Sequence, residues 1–170
     1  MSRTNAGTNL ALPPRPKGAT VERRVRIDAP ADAVWEVLAD VEGWGRWNPI
    51  YPSARGSIGP GDTITLTIAL PGMKPRISSA TVLHALPPLA LQFGAPAFAG
   101  LLHATRYIEI DPLTDRSCTL VNGETFGRLL GRALVALIGT RVGDGLRGQN
   151  EGLKASAESR WRAVNCESGV

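Results

Sequence analysis

The sequence predicts a single α+β domain in which a curved antiparallel sheet of about seven strands wraps a long C-terminal helix, with two short helices after the first strand. Three observations carry that expectation. A strand-like stretch near the start gives way at once to a segment of helical period. After Pro52 the chain reads as successive strands, apolar residues alternating with polar ones. From Gly127 the period turns helical again and stays so almost to the end.

In TVERRVRID, Val21, Val25 and Ile27 share a face with Arg23, while Glu22, Arg24, Arg26 and Asp28 take the other. That is a half-buried strand. In DAPADAVWEVLADV, Asp28 suits an N-terminal cap, Pro30 a first helical turn, and Val34, Trp35, Leu38 and Val41 recur at helical spacing. Gly43 and Gly45 stop this helix. Trp44 and Trp47 follow on one helical turn, which Asn48-Pro49 must end because proline disfavours helical backbone at the residue before it.

A short strand near ARGS precedes DTITLTIAL, where Ile64, Leu66 and Ile68 alternate with threonines. Pro71-Gly72 turns the chain into RISSATVLHAL, and Pro87-Pro88 breaks that strand before LALQF resumes it. GAPAFAG reads as a small-residue loop. LHATRYIEI and SCTLVNGETF then flank a turn at Asp111-Pro112-Leu113-Thr114-Asp115. The closing helix carries one stripe through Leu130, Leu134, Leu137, Ile138, Val142, Leu146, Leu153, Ala157 and Trp161. Gly139, Gly143, Gly145, Gly148 and Gly152 lie inside it, each costing about 1 kcal/mol relative to alanine. They predict a bend or loosened turn around Gly143-Asp144-Gly145 and close backbone approach to the sheet.

With 170 residues, 43% of them apolar and 20% charged, the chain suits one core, placed at residues 19–162. Residues 1–18, with Pro13, Pro14 and Pro16 and little to bury, read as a disordered tail, and 163–170 as a flexible one. The formal charge is +4 and the sequence pI about 9.6, but no run of like charges favours nucleic acid. Cys118 and Cys166 are too far apart to suggest a disulfide framework or a metal-ligand pair. Two histidines with no helical His/Glu pair, and no nucleophile elbow, phosphate loop or dinucleotide fingerprint, lead us to expect neither metal nor cofactor. With no signal-peptide core and no apolar run of about 20 residues, we expect a cytoplasmic protein without stable membrane insertion.

The stretch VRIDAPADAVWEVLADVEGWGRWNP resembles the opening of the START-like superfamily, in its polyketide cyclase/dehydrase branch. NGETFGRLLG resembles the last strand of that branch running into its helix, and GQNEGLKASAE its final helical turns. The resemblance covers roughly residues 20 to 160. It implies the helix-grip fold, with an apolar cavity between the concave face of the sheet and the long helix. It also implies a family spanning polyketide cyclases, lipid and sterol carriers, and many members with no assigned activity.

Such a cavity would draw on inward-facing side chains: Leu66, Val82, Phe93 and Leu120 from strands, Leu134, Ile138 and Val142 from the helix, and Phe98 from the small-residue loop. Trp44 and Trp47 read first as packing indoles, with Trp47 also a candidate for ligand contact. Cys118, Leu120, Asn122 and Glu124 share a face by alternation, so Asn122 and Glu124 point inward if Leu120 does. Glu124 is then either paired with an arginine, Arg106 or Arg128, or held as an acid or base. Arg106, Tyr107 and His84 are its candidate helpers, and His84 shares the expected inward face of Val82 and Leu86.

Met73, Phe98 and Leu101 would form an apolar rim at the cavity mouth, or equally pack on a second copy as a homodimer. Three functions follow. The first is a binding or carrier module for a small hydrophobic or aromatic molecule, lipid- or polyketide-like. The second is a cyclase or dehydrase using Glu124. The third is a protein-interaction module with a vestigial cavity.

Overall fold

The computed structural model describes residues 11–97, 102–127 and 130–167. Strand β1 (Ala19–Ile27) is followed by helix α1 (Ala31–Ala39) and a 3₁₀ turn (Val41–Arg46). Strands β2 (Ser53–Gly56), β3 (Thr63–Ile68), β4 (Arg76–Leu86), β5 (Ala90–Ala97), β6 (Leu102–Thr114) and β7 (Ser117–Phe126) come next, and helix α2 (Gly131–Glu167) closes the chain. All seven strands form one antiparallel sheet in the order β1-β7-β6-β5-β4-β3-β2. Helix α2 packs across β1 and β7 and against α1. This is the helix-grip arrangement.

Helix α1 starts two residues later than its capping pattern suggests. Pro30, extended at ψ 158°, occupies the N-cap position with no side-chain cap, and the Asp28 N–H donates to Glu158 of α2 at 2.8 Å. The 3₁₀ turn is capped instead by Asp40, which accepts from the Gly43 N–H at 3.1 Å. Trp44 is fully buried, and its indole N–H donates to the Leu38 carbonyl at 2.9 Å. Its ring lies 5.7 Å from Tyr51, 5.9 Å from Phe93 and 6.3 Å from Trp47. A large ring is thereby buried with its one donor satisfied, which makes this cluster a main source of core stability.

Three local expectations are corrected. The turn between β6 and β7 is two residues, Asp115-Arg116, because a register shift between Pro112 and Thr114 lets β6 run through the proline. GAPAFAG is not wholly a loop: Gly94 to Ala97 continue β5 against β6. Phe98 and Leu101 lie outside the described residues. Helix α2 is continuous from Gly131 to Glu167, without a break at Gly143-Asp144-Gly145. There the glycines serve contact: a Cβ on Gly145 would press on Ile50, one on Gly148 on Pro49, and one on Gly152 into the Trp47 carbonyl.

The N-terminal approach, assigned by sequence to a disordered tail, is held at Arg15 across the outer face of the sheet. Arg15 donates to both Glu109 oxygens, Nε at 2.7 Å and Nη2 at 2.6 Å, and to Glu22 at 2.8 Å. Its guanidinium lies 5.0 Å from the Tyr107 ring centroid, and Gln92 Nε2 donates to the Pro14 carbonyl. Burial pushes the Glu22 carboxyl up, but hydrogen bonds from Tyr107 and Arg24 and the charges of Arg15 and Arg24 outweigh it and hold it below its ordinary value. A depressed carboxylate stabilises the fold above its unfolded pKa, and that stabilisation fades as pH falls through the folded pKa. Glu22→Gln should therefore be less stable than the parent at neutral pH, with the gap closing below about pH 4.5. Urea midpoints measured from about pH 3 to about pH 7 check this, and a gap independent of pH would refute it.

Candidate functional site

Between the concave face of the sheet and α2 lies a cavity of about 300 Å³. Ile50 and Tyr51 after the 3₁₀ turn, Ile68 of β3, and Ile138 and Val142 of α2 form much of its apolar wall. Ala104 and Phe126 close one side, and Leu70, Met73 and Arg76, from the β3–β4 connection and the start of β4, reach the mouth, where Met73 and Arg76 are exposed.

One ion pair interrupts the apolar lining. Arg106 and Glu124 are direct partners across β6 and β7, and Arg106 Nη2 donates to Glu124 Oε2 at 2.9 Å. Arg106 is 2% exposed, so its charge needs more than one partner. Nη1 donates to Gln149 Oε1 at 2.7 Å and, at 3.4 Å, to Asn122 Oδ1. The guanidinium carbon also lies 5.5 Å from the Tyr51 ring centroid. Burial pushes the Tyr51 phenol up to about 12, so it stays protonated at neutral pH.

Alternation in β7 correctly sends Leu120, Asn122 and Glu124 to the α2 side, and Glu124 finds Arg106. Ile138 and Val142 line the cavity. Leu66, Val82, Phe93, Leu120 and Leu134 are buried in the surrounding core but are not among the lining residues. Trp47 packs at the junction with α2 and does not line the cavity either. Phe98 and Arg128 lie outside the described residues.

Two helper assignments are corrected. A register shift between Val82 and His84 reverses the alternation of β4, so His84 pairs with Gln92 and is exposed. Tyr107 adjoins Arg106 in one strand and must face the other way; its hydroxyl donates to Glu22 at 2.7 Å beneath Arg15. Neither is a lining residue of the cavity.

Sequence reasoning missed Tyr51, which sits in a non-periodic segment after Pro49, and the amides Gln149 and Asn150. The latter did carry a signal: they fall at helical spacing between Leu146 and Leu153, two polar residues inside an apolar stripe.

A sequence model described as polyketide cyclase / dehydrase and lipid transport matches residues 18–158. The chain belongs to that family. No curated protein matches it by sequence. Among solved structures it is similar to the Zhui aromatase/cyclase of a Streptomyces species, with a TM-score of 0.70 at 22% identity over 85% of this chain and 96% of that one. A norcoclaurine synthase point mutant of Thalictrum flavum gives 0.64 at 13% identity, covering 83% and 94%. A START superfamily protein of Mycobacterium smegmatis gives 0.61 at 18% identity, covering 86% and 99%. At these identities the likeness establishes a shared fold. No helix among the described residues is long and apolar enough to cross a membrane.

In chemical terms this family member offers an apolar chamber, a guanidinium and a carboxylate fixed against each other, and a neutral phenol in the same wall. Such a site can desolvate a small molecule and orient an oxygen on it.

Proposed function

We propose that this protein binds a small hydrophobic or aromatic molecule in the cavity between the sheet and α2. The observation that carries the reading is the cavity itself, apolar over most of its wall and close to the low end of the roughly 300 to 1,000 Å³ usual for small-molecule sites. A molecule of one or two rings matches that volume better than a long-chain lipid. Replacing Ile138 with tryptophan puts an indole where the ligand would sit. The expected result for Ile138→Trp is a naphthalene Kd raised at least about tenfold with an unchanged circular dichroism spectrum. Naphthalene binding unaffected by the substitution would place the ligand elsewhere.

Catalysis of a cyclisation or dehydration is the second reading, favoured by the Arg106–Glu124 pair in the cavity wall. In it, Glu124 takes a proton from a carbon beside a carbonyl, and Arg106 stabilises the oxygen on which charge develops. Glu124→Gln should then abolish product formation from a poly-β-carbonyl substrate while leaving its binding within about threefold. Equal turnover by the variant would leave the binding module as the function.

A further inference from the structure

We propose that the outer face of the sheet carries a recognition site for an arginine set in a proline-rich segment. Residues 12–16 of this chain fill it until a segment of the same chemistry on a partner protein displaces them. The site lies on the opposite side of β6 from Arg106 and does not depend on the cavity.

Leu12-Pro13-Pro14-Arg15-Pro16 places one charged residue among three prolines. Proline fixes φ at about −65°, so such a segment loses little freedom on docking. It forms neither helix nor strand, and three strands of the sheet receive it. Tyr107 of β6 is the floor. Gly123 of β7 lies opposite and leaves room for its ring, because a Cβ on Gly123 would overlap it. The phenol reaches across β7 and donates to Glu22 of β1 at 2.7 Å, and the Arg15 guanidinium sits 5.0 Å from the ring centroid. Glu109 takes the guanidinium with both oxygens, at 2.7 and 2.6 Å, and Glu22 takes a third donor at 2.8 Å. Gln92 of β5 binds the main chain of the segment, Nε2 donating to the Pro14 carbonyl at 3.2 Å. An aromatic floor, a two-pronged carboxylate clamp and an amide directed at the backbone together read an arginine within an extended peptide. Lysine, a single point charge, would lack the fork that the clamp fits.

The receptor is buried and the segment is loosely held. Tyr107, Gln92 and Glu109 are 2%, 3% and 6% exposed, although they belong to the face turned away from α2. A carboxylate at that depth calls for a cation, and Arg15 is the ion-pair partner of Glu109 among the described residues. Neither Leu12 nor the three prolines pack into the core, however, and the Arg15 side chain is 34% exposed. Ion pairs exposed to that degree contribute little stability. What keeps the segment in place is its tether: Lys17 and Gly18 alone join it to β1. So short a link gives it an effective concentration on the order of millimolar, which a competing segment can overcome.

A peptide of residues 11–17, ALPPRPK, tests this by calorimetric titration into the full chain and into the full-length Arg15→Glu variant. That substitution sets a third carboxylate against Glu22 and Glu109 and so expels the segment. Melting curves confirm that the variant is folded, and Arg15→Met takes its place if it is not. The expected Kd is about 100 µM or tighter for the variant and at least about tenfold weaker for the parent, whose own segment competes. The same peptide with Arg15→Lys is expected to bind the variant at least about tenfold more weakly, as is the unaltered peptide once Glu109→Gln is added to the variant. No binding to the folded variant would overturn the proposal. Equal binding to variant and parent would overturn it too, by placing the peptide elsewhere. Equal binding of the lysine peptide would reduce the site to general charge attraction and overturn the recognition of arginine.

Discussion

Gly152→Ala is expected to destabilise the protein by about 3 kcal/mol, although alanine ordinarily improves a helix interior by about 1 kcal/mol. The reason lies outside the helix. A Cβ at this position would overlap the carbonyl oxygen of Trp47, and its next neighbours are the carbonyl carbon at 3.0 Å and Cα at 3.5 Å. These are backbone atoms, so no side-chain rotation relieves the overlap, and the helix or the Trp47 segment has to move. For a chain of this size the melting temperature should fall by about 6 to 12 °C. Gly139→Ala is the control, because there the nearest atoms belong to the Val135 side chain at 3.1 Å and the Val21 side chain at 3.7 Å. It should remain within about 1 kcal/mol of the parent. Matching melting temperatures for the two variants would show that α2 does not press on the Trp47 backbone. The displaced segment also carries Ile50 and Tyr51 of the cavity wall, so Gly152→Ala should weaken naphthalene binding as well.

Arg106→Met is expected to cost about 3 to 5 kcal/mol, the usual loss when one member of a buried ion pair is removed. The variant strands Glu124, whose side chain is 16% exposed, and takes a donor from Gln149 Oε1. Removing both charges should be milder than removing one. The double variant Arg106→Met/Glu124→Leu is expected to recover at least about 1 kcal/mol relative to Arg106→Met alone, measured by urea unfolding in a double-mutant cycle. Strict additivity of the two single losses would mean that Glu124 is held by water at the mouth and that its contact with Arg106 carries no coupling. The cycle also separates stability from function, since a double variant that folds well but no longer turns over a poly-β-carbonyl substrate would tie the charge pair to catalysis.

Much of this architecture could be read locally. Alternation in β1 and β7, the switch to helical period after Ile27 and again near Gly131, and the order of the elements all recur in the folded chain. So does the inward face of β7, with Asn122 and Glu124 turned toward α2. Errors fell where local pattern and global pairing part company. His84 looked inward because alternation was carried straight through β4, whereas one irregularity after Val82 turns it outward. Tyr107 and Arg106 could never share a site, because neighbours in a strand face opposite ways, and the strand's own period said so.

The sequence by itself determined the order of the elements and the inward face of β7, because a period of two or of 3.6 residues records burial one element at a time. Only the tertiary structure decided which residues surround the cavity and how their polar groups are joined. Arg106 meets Gln149 across 43 positions, and Arg15 meets Glu109 across 94. Which donor finds which acceptor at such separations is set by sheet register and helix docking, and no local periodicity encodes either of these.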